Sequence, residues 1–395
     1  MIACSAAALF LLSSPFAQAV SPVSTDGYPT AGWLARTLAA HDDLALTPAG
    51  EIDYASTAYA ILGLRATGVA SGQITASTTA LIKAGEAFIG TSDQIADKTT
   101  AIALMILAMK AADLDPATYS VDADGSTRDL YADLNSAMNE DGSISSWPSA
   151  YGQSFALLAL ATAPDGAPQV SVDWLEAQPC VDPESPGYGG YGFAGPGSCD
   201  DADPDSTALA ILALAALGRT ADQLSPSRTF LWSTMDENGG FVSPFSGANA
   251  NTTGLALAAL KANYQSDESS KILAGEIYLT RLTYGCDLAD TDTRTRLAGA
   301  IAYDGATRER IGSWTEEYEA TLTQSSAQAL WGLVDHFTVT NARPANSEVP
   351  KACYDIEGIE PSSGAIWWWV GGGIVILAGI FLIRWRILAV RRARR

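Results

Sequence analysis

The chain has 395 residues, 48% of them hydrophobic, and a formal net charge of −21 at pH 7. Six of its 23 basic residues (Arg384, Arg386, Arg391, Arg392, Arg394 and Arg395) lie in the last twelve positions, so the rest is strongly acidic. That balance excludes a reader of phosphate backbones, and nucleic acid is not an expected partner; it suits a soluble, self-repelling surface.

Taken in order, residues 1–19 read as a signal peptide: a short apolar run, Ala6–Leu12, precedes an Ala17-Gln18-Ala19 cleavage site, although no Lys or Arg stands before the run. Residues 20–30, with Pro22 and Pro29, read as a linker. An octet then recurs six times, starting at Thr57, Thr100, Gln153, Thr207, Thr253 and Ser326, with starts 43, 53, 54, 46 and 73 residues apart. Its first position is small and polar or an amide. Its fourth is always alanine (Ala60, Ala103, Ala156, Ala210, Ala256, Ala329) and its eighth always leucine (Leu64, Leu107, Leu160, Leu214, Leu260, Leu333). Such a period marks a repeat architecture.

Each octet is apolar nearly all round, which predicts a buried helix too short to span a membrane. An amphipathic partner precedes each, near Trp33–His41, Ser77–Phe88, Thr127–Met138, Val172–Ala177, Ser227–Met235 and Lys271–Leu282. Outer helix, turn, inner helix, six times over, predicts an all-α fold: an (α/α)6 toroid over residues 31–337. The inner helices would run parallel, with their N-termini around one mouth.

Residues 338–363, with Pro344, Pro350 and Pro361, read as a stalk. Residues 364–383 read as one transmembrane helix, its uncharged stretch Ile366–Ile383 just long enough to span. Trp367, Trp368 and Trp369 would sit in the outer interface, and the arginines of the 384–395 tail would stay inside. The expected topology is single-pass in the plasma membrane, with the N-terminal domain extracellular.

Five cysteines are present, Cys4 in the leader. The other four, Cys180, Cys199, Cys286 and Cys353, allow three pairings as two disulfides in an exported chain. Cys180–Cys199, closing one loop, with Cys286–Cys353, tying the chain end back, is the favoured one. Without CxxC spacing they make a poor zinc site, and no metal is expected. His41 and His336, the only histidines, each stand at a predicted helix C-terminus, where they suit the dipole better than catalysis.

Polar residues gather before the octets: Asp53, Asp97, Asp203, Asp205, Asn249, Asn251 and Gln324. Capping of free N–H groups explains such a pattern, and so does a polar ring that orients a ligand. The preceding turns are rich in glycine and aromatics, among them Tyr188, Tyr191, Phe193, Phe241 and Trp314. These either plug the junction between helix layers or line a mouth. The densest acidic run is Asp200–Asp205. It lacks the turn glycine and closing glutamate of a calcium loop; crowding could instead keep one aspartic acid protonated for proton donation.

The Gly-Gly-aromatic turn at Gly239-Gly240-Phe241, followed by an acid or amide and the octet, resembles the prenyltransferase and squalene-oxidase repeat superfamily over residues 31–337. That resemblance implies the toroid. Its cyclase members carry D-x-D-D-T-A with the middle aspartate as proton donor; here Asp203-Pro204-Asp205-Ser206-Thr207-Ala208 puts Asp205 at the donor position and Ser206 in place of the next acid. The second barrel of those cyclases, the zinc setting of protein prenyltransferases and the thioester motif of complement-like domains are absent from the sequence. The chain is most similar in character to the exported, disulfide-bonded cobalamin carriers, without their small β-domain. The resemblance therefore implies a non-catalytic extracellular binding module without a cofactor, whose ligand is a corrinoid or another bulky amphipathic molecule. Tyr188, Tyr191, Phe193, Phe241 and Trp314 would contact it, with Asp203, Asp205, Asn249 and Asn251 as polar partners. A membrane transporter would be its partner. The alternatives are a cyclase-like enzyme with Asp205 as catalytic acid, and a surface protein-interaction module.

Overall fold

The structure is a computed structural model. It describes residues 27–120, 127–192, 196–286, 296–310, 315–339 and 344–351. The predicted leader, transmembrane helix and tail, together with Phe193, Trp314 and Cys353, lie outside them. Among the described residues no helix is long and apolar enough to cross a membrane.

The fold is all-α. In chain order the helices are α1 (Tyr28–Ala40), α2 (Tyr54–Thr67), α3 (Ser71–Ala84), α4 (Glu86–Ile89), α5 (Thr99–Ala111), α6 (Leu130–Ser136) and α7 (Ala150–Leu160). They continue as α8 (Gln169–Glu176), α9 (Pro204–Ala216), α10 (Ser225–Ser233), α11 (Ala250–Ala262), α12 (Ser269–Leu282), α13 (Gly305–Glu309) and α14 (Glu316–Leu333). Two short antiparallel hairpins, β1 (Ala45–Leu46) with β2 (Ile52–Asp53) and β3 (Val242–Ser243) with β4 (Gly247–Ala248), precede α2 and α11.

All six octets are helical, in α2, α5, α7, α9, α11 and α14. Each of these helices packs on the next, and α14 packs back on α2, so the contacts close a cycle. The six amphipathic segments form α1, α3, α6, α8, α10 and α12, each lying against one or two of the inner six. The fixed alanines are 0% exposed, and the fixed leucines are equally sealed, which is why no larger or polar residue replaces them.

The C-terminal ends of the inner helices meet at one side. Leu158, Leu212, Ala216 and Ala262 line a single cavity there of about 130 Å³, together with His336 and Phe337. Lys261 Nζ, at the end of α11, donates to Gly332 O (2.7 Å) and Val334 O (3.1 Å), the last carbonyls of α14. The N-terminal ends meet at the other side, where Ser146 N, before α7, donates to Ala96 O, before α5.

The polar first position of the octet has a structural task. Thr57, Thr207 and Thr253 each donate to the carbonyl of their helix cap, Asp53, Asp203 and Asn249 (2.7 Å in each case). The same oxygens accept the backbone N–H of Ala45 (2.8 Å), Tyr191 (2.9 Å) and Phe241 (3.0 Å) in the preceding turn. Gln153 Oε1 and Ser326 Oγ accept from Ile144 and Ile301 in the same way, both at 2.8 Å. A buried N–H without a partner is costly, so this position must carry an acceptor. The turn glycines serve packing as well as the turn. A Cβ at Gly239 (φ +91°) would stand 2.3 Å from Ala274 O of α12, and one at Gly299 (φ +98°) would stand 2.2 Å from Pro29 O of α1.

Two boundaries differ from the sequence reading. Helix α1 starts at Tyr28, inside the expected linker, because Pro29 is tolerated in a first helical turn. The segment 344–351 of the expected stalk is packed down. Asn346 N donates to Gly68 O (2.9 Å), while Asn346 O and Glu348 O accept from Ser71 N and Ala70 N (both 2.8 Å). Ala70 has φ 54° and no side chain able to cap α3, and the returning segment satisfies those donors instead. Cys180–Cys199 is a disulfide as expected. Cys286 is disulfide-bonded too, and its expected partner Cys353 lies outside the described residues. His41 is the C-cap residue of α1, and its Nε2 meets Glu319 Oε1 at 2.8 Å.

Candidate functional site

The polar residues at the inner-helix N-termini divide into two groups. Asp53, Asp203 and Asn249 are caps: their side chains accept from Ser56 N (2.9 Å), Ser206 N (2.8 Å) and Thr252 N (2.9 Å). The Asn249 amide is also used up as a donor, to Ser246 Oγ (3.2 Å), Gly247 O (3.0 Å) and Thr252 Oγ1 (3.1 Å). Capping therefore accounts for Asp203 and Asn249 of the expected contact set.

It does not account for Asp205 and Asn251. Each stands two residues before its octet, in the first turn of α9 and α11 respectively, which are neighbours. Both side chains are partly covered, and Asp205 Oδ1 and Asn251 Oδ1 are sealed from solvent without a hydrogen-bond partner. Buried polar atoms normally find partners, so two orphans at equivalent places in adjacent helices call for a cause. Burial, then the neighbouring Asp203 carboxylate, pushes Asp205 up to about 7, with the Thr252 hydroxyl partly opposing. Burial also raises Asp203, against the pull of the Ser206 amide.

The third residue of this layer is Tyr151, two residues before the octet of α7. Its hydroxyl meets that of Tyr59 at 3.1 Å. Helices α2 and α7 are not ring neighbours, so this contact crosses the interior. Burial raises both phenols, and the Asp205 charge adds to each, so the three groups share one electrostatic environment. Beneath them Tyr59 stacks on Phe155 (centroids 5.9 Å apart) and takes the edge of Trp331 (5.6 Å), whose Nε1 donates to Tyr59 O at 2.9 Å. Trp331 in turn stacks on Phe337 (4.3 Å). Tyr59, Phe155, Leu209, Leu255 and Trp331 are all buried. The ring interior is thus filled by its own side chains, with the Tyr59–Tyr151 hydroxyl pair lying toward the N-terminal ends of the inner helices.

The expected aromatic contacts sit elsewhere. Tyr191 is buried, holding α9 through its backbone N–H and through its carbonyl, which accepts from Asp203 N (2.8 Å), while its side chain reaches Ser227. With Tyr188, Leu214 and the Glu176–Arg219 ion pair it borders a lateral groove of about 290 Å³, away from the mouth. Phe241 is fully buried against Trp232 (5.8 Å). Tyr191 and Phe241 are plugs between helix layers, as wide apolar rings beside a turn tend to be, whereas Tyr188 is exposed at the groove. Tyr59 and Tyr151 escaped the sequence reading. The signal was present: Tyr151 falls in the same octet register as Asp205 and Asn251, and Tyr59 lies one turn further along a helical face. Among the described residues no group of three or more His, Cys, Asp or Glu side chains converges as a metal would require.

No family model matches the chain, and no curated protein does. Solved structures do. A protein from Actinoplanes is similar at 16% identity and a TM-score of 0.48, over 76% of this chain and 98% of that one. A glycosidase is similar at 12% identity and a TM-score of 0.46, over 78% and 98%. The ent-copalyl diphosphate synthase from Streptomyces platensis is similar at 18% identity and a TM-score of 0.38; the match takes in 77% of this chain and 50% of that enzyme.

Proposed function

We propose that this chain is a non-catalytic ligand-binding protein with an (α/α)6 toroid, exported and held at the plasma membrane by residues 364–383, which takes its ligand at the N-terminal mouth of the ring. The observation that carries the reading is the pair of orphaned buried oxygens on Asp205 and Asn251, with Asp205 close enough to the Tyr59–Tyr151 pair for its charge to act on both phenols. A ligand donor would satisfy both oxygens at once; the Thr252 hydroxyl acts on the Asp205 carboxyl but leaves both Oδ1 atoms without a partner. The filled interior favours surface capture over chemistry in a deep chamber.

A corrinoid or comparably bulky amphipathic molecule is the first ligand to test, with a membrane transporter as the partner that would receive it. The purified chain in detergent, disulfides intact, is titrated with cobalamin by absorbance and calorimetry. Saturable one-to-one binding that weakens in Asn251→Ala supports the assignment; no binding at high micromolar concentration removes the corrinoid.

The second reading is an acid catalyst with Asp205 as proton donor, favoured by a carboxyl held near 7 that keeps its proton close to neutrality. Two features oppose it. Ser206 occupies the place of the second acid, and a pKa raised by burial makes a weaker donor to an alkene. Turnover of an isoprenoid that vanishes in Asp205→Asn would establish the enzyme.

A further inference from the structure

The mouth has an imbalance of charge. Helix N-termini carry partial positive charge, but Asp53, Asp203 and Asn249 already cap theirs. Asp205 is a carboxyl beyond what capping uses. The charges that act on Asp205, Tyr59 and Tyr151 come from one another and from Asp203 on α9 and Asp53 before α2; no lysine or arginine is among them. Helix α11 contributes only the neutral Asn251 and Thr252. Lys98, on the other side of the ring beside α5, lays its chain against Gly90. Among the described residues, the N-terminal side thus brings together acceptor oxygens, a carboxyl beyond those used as caps and two phenols, on which no lysine or arginine acts.

We infer that the ligand group seated at this mouth is an organic ammonium, its N–H donors shared between Asp205 and Asn251 and its charge set over the Tyr59–Tyr151 pair. The inference rests on the binding role proposed above and narrows the ligand class. Aromatic faces attract cations, and more strongly where water is excluded. An anionic ligand such as a diphosphate would meet Asp203 and Asp205 with its own sign of charge. An ammonium also draws Asp205 into its ionised form, so binding releases a proton and tightens as pH rises. With the carboxyl near 7, affinity should increase about tenfold between pH 6 and pH 8.

The probe is benzylammonium, with benzyl alcohol as its uncharged counterpart and cobalamin alongside, titrated into the full chain at about 0.15 M salt. The expected result is one-to-one binding of benzylammonium, at least tenfold tighter than benzyl alcohol and stronger at pH 8. That preference should disappear in Asp205→Asn and persist in Asp165→Asn, an exposed acid remote from the mouth. Cooperative melting of both variants, with the helical circular dichroism of the wild type, shows that the fold is intact. Saturable cobalamin binding without any for benzylammonium would overturn the ammonium and leave the binding role standing. Binding of neither would overturn both. Benzylammonium binding that ignores Asp205→Asn, or that falls equally in Asp165→Asn, is diffuse surface attraction and also overturns the inference.

Discussion

Replacing Asp205 by asparagine should flatten the dependence of stability on pH. In the unfolded chain this carboxyl titrates near 3.8, and in the fold it is pushed up to about 7. Because the folded pKa is the higher, the folded state binds more protons between those values. The stabilisation is fully present below the unfolded pKa and is lost as pH rises through the folded one. With roughly 1.36 kcal/mol per pKa unit, wild type should lose about 3 kcal/mol between pH 4.5 and pH 8 through this residue alone. Asparagine keeps the shape, cannot ionise, and leaves the Asp203 cap in place. Urea unfolding of both proteins at pH 4.5, 6 and 8, with disulfides intact, isolates the term. The wild-type curve should fall toward the variant or below it as pH rises. Parallel curves would refute the assignment of a buried, neutral Asp205 and weaken every role given to it.

Three further changes probe the frame that holds the mouth. Thr207→Val removes the acceptor for Tyr191 N and the donor to Asp203 O; a cost of about 1–3 kcal/mol in chemical denaturation is expected from the unpaired buried N–H. Trp331→Ala empties the ring interior beneath Tyr59 and Phe337 and should cost about 3–5 kcal/mol, read as a large drop in melting temperature. The double change Cys180→Ser, Cys199→Ser releases a loop of sequence separation 19 whose Tyr191 clamps the first turn of α9. It should cost about 3 kcal/mol and increase amide exchange at Ser206 and Thr207 ahead of the rest of α9.

Mouth and frame are linked through a short chain of contacts. The disulfide closes the loop, the loop presents Tyr191, and Tyr191 fixes Asp203 and Thr207 by backbone hydrogen bonds. Asp205 stands between them, two positions from each, on the same helical turn. Its position is therefore set by residues that would never touch a ligand, the arrangement a preorganised site needs.

The repeat by itself determined the helices. Alanine and leucine at fixed places in an otherwise apolar octet can only be satisfied by burial on every side, so six inner helices and six amphipathic covers followed from pattern alone. The polar residues before the octets could be read from the sequence as caps or as ligand contacts, and the first helical turn makes caps of Asp53, Asp203 and Asn249. The aromatics were equally open. Tyr191 and Phe241 could from the sequence plug the helix layers or line a mouth; their backbone N–H groups are tied to Thr207 and Thr253, and their rings lie toward α10, so they are plugs. Only ring closure decided that Tyr59 and Tyr151 meet across the interior from helices that are not neighbours, and that Asp205 Oδ1 and Asn251 Oδ1 are each left buried without a partner. Periodicity fixes which face of a helix is buried; which buried face meets which, and where a polar atom is left over, depends on the angle at which the last helix returns to the first.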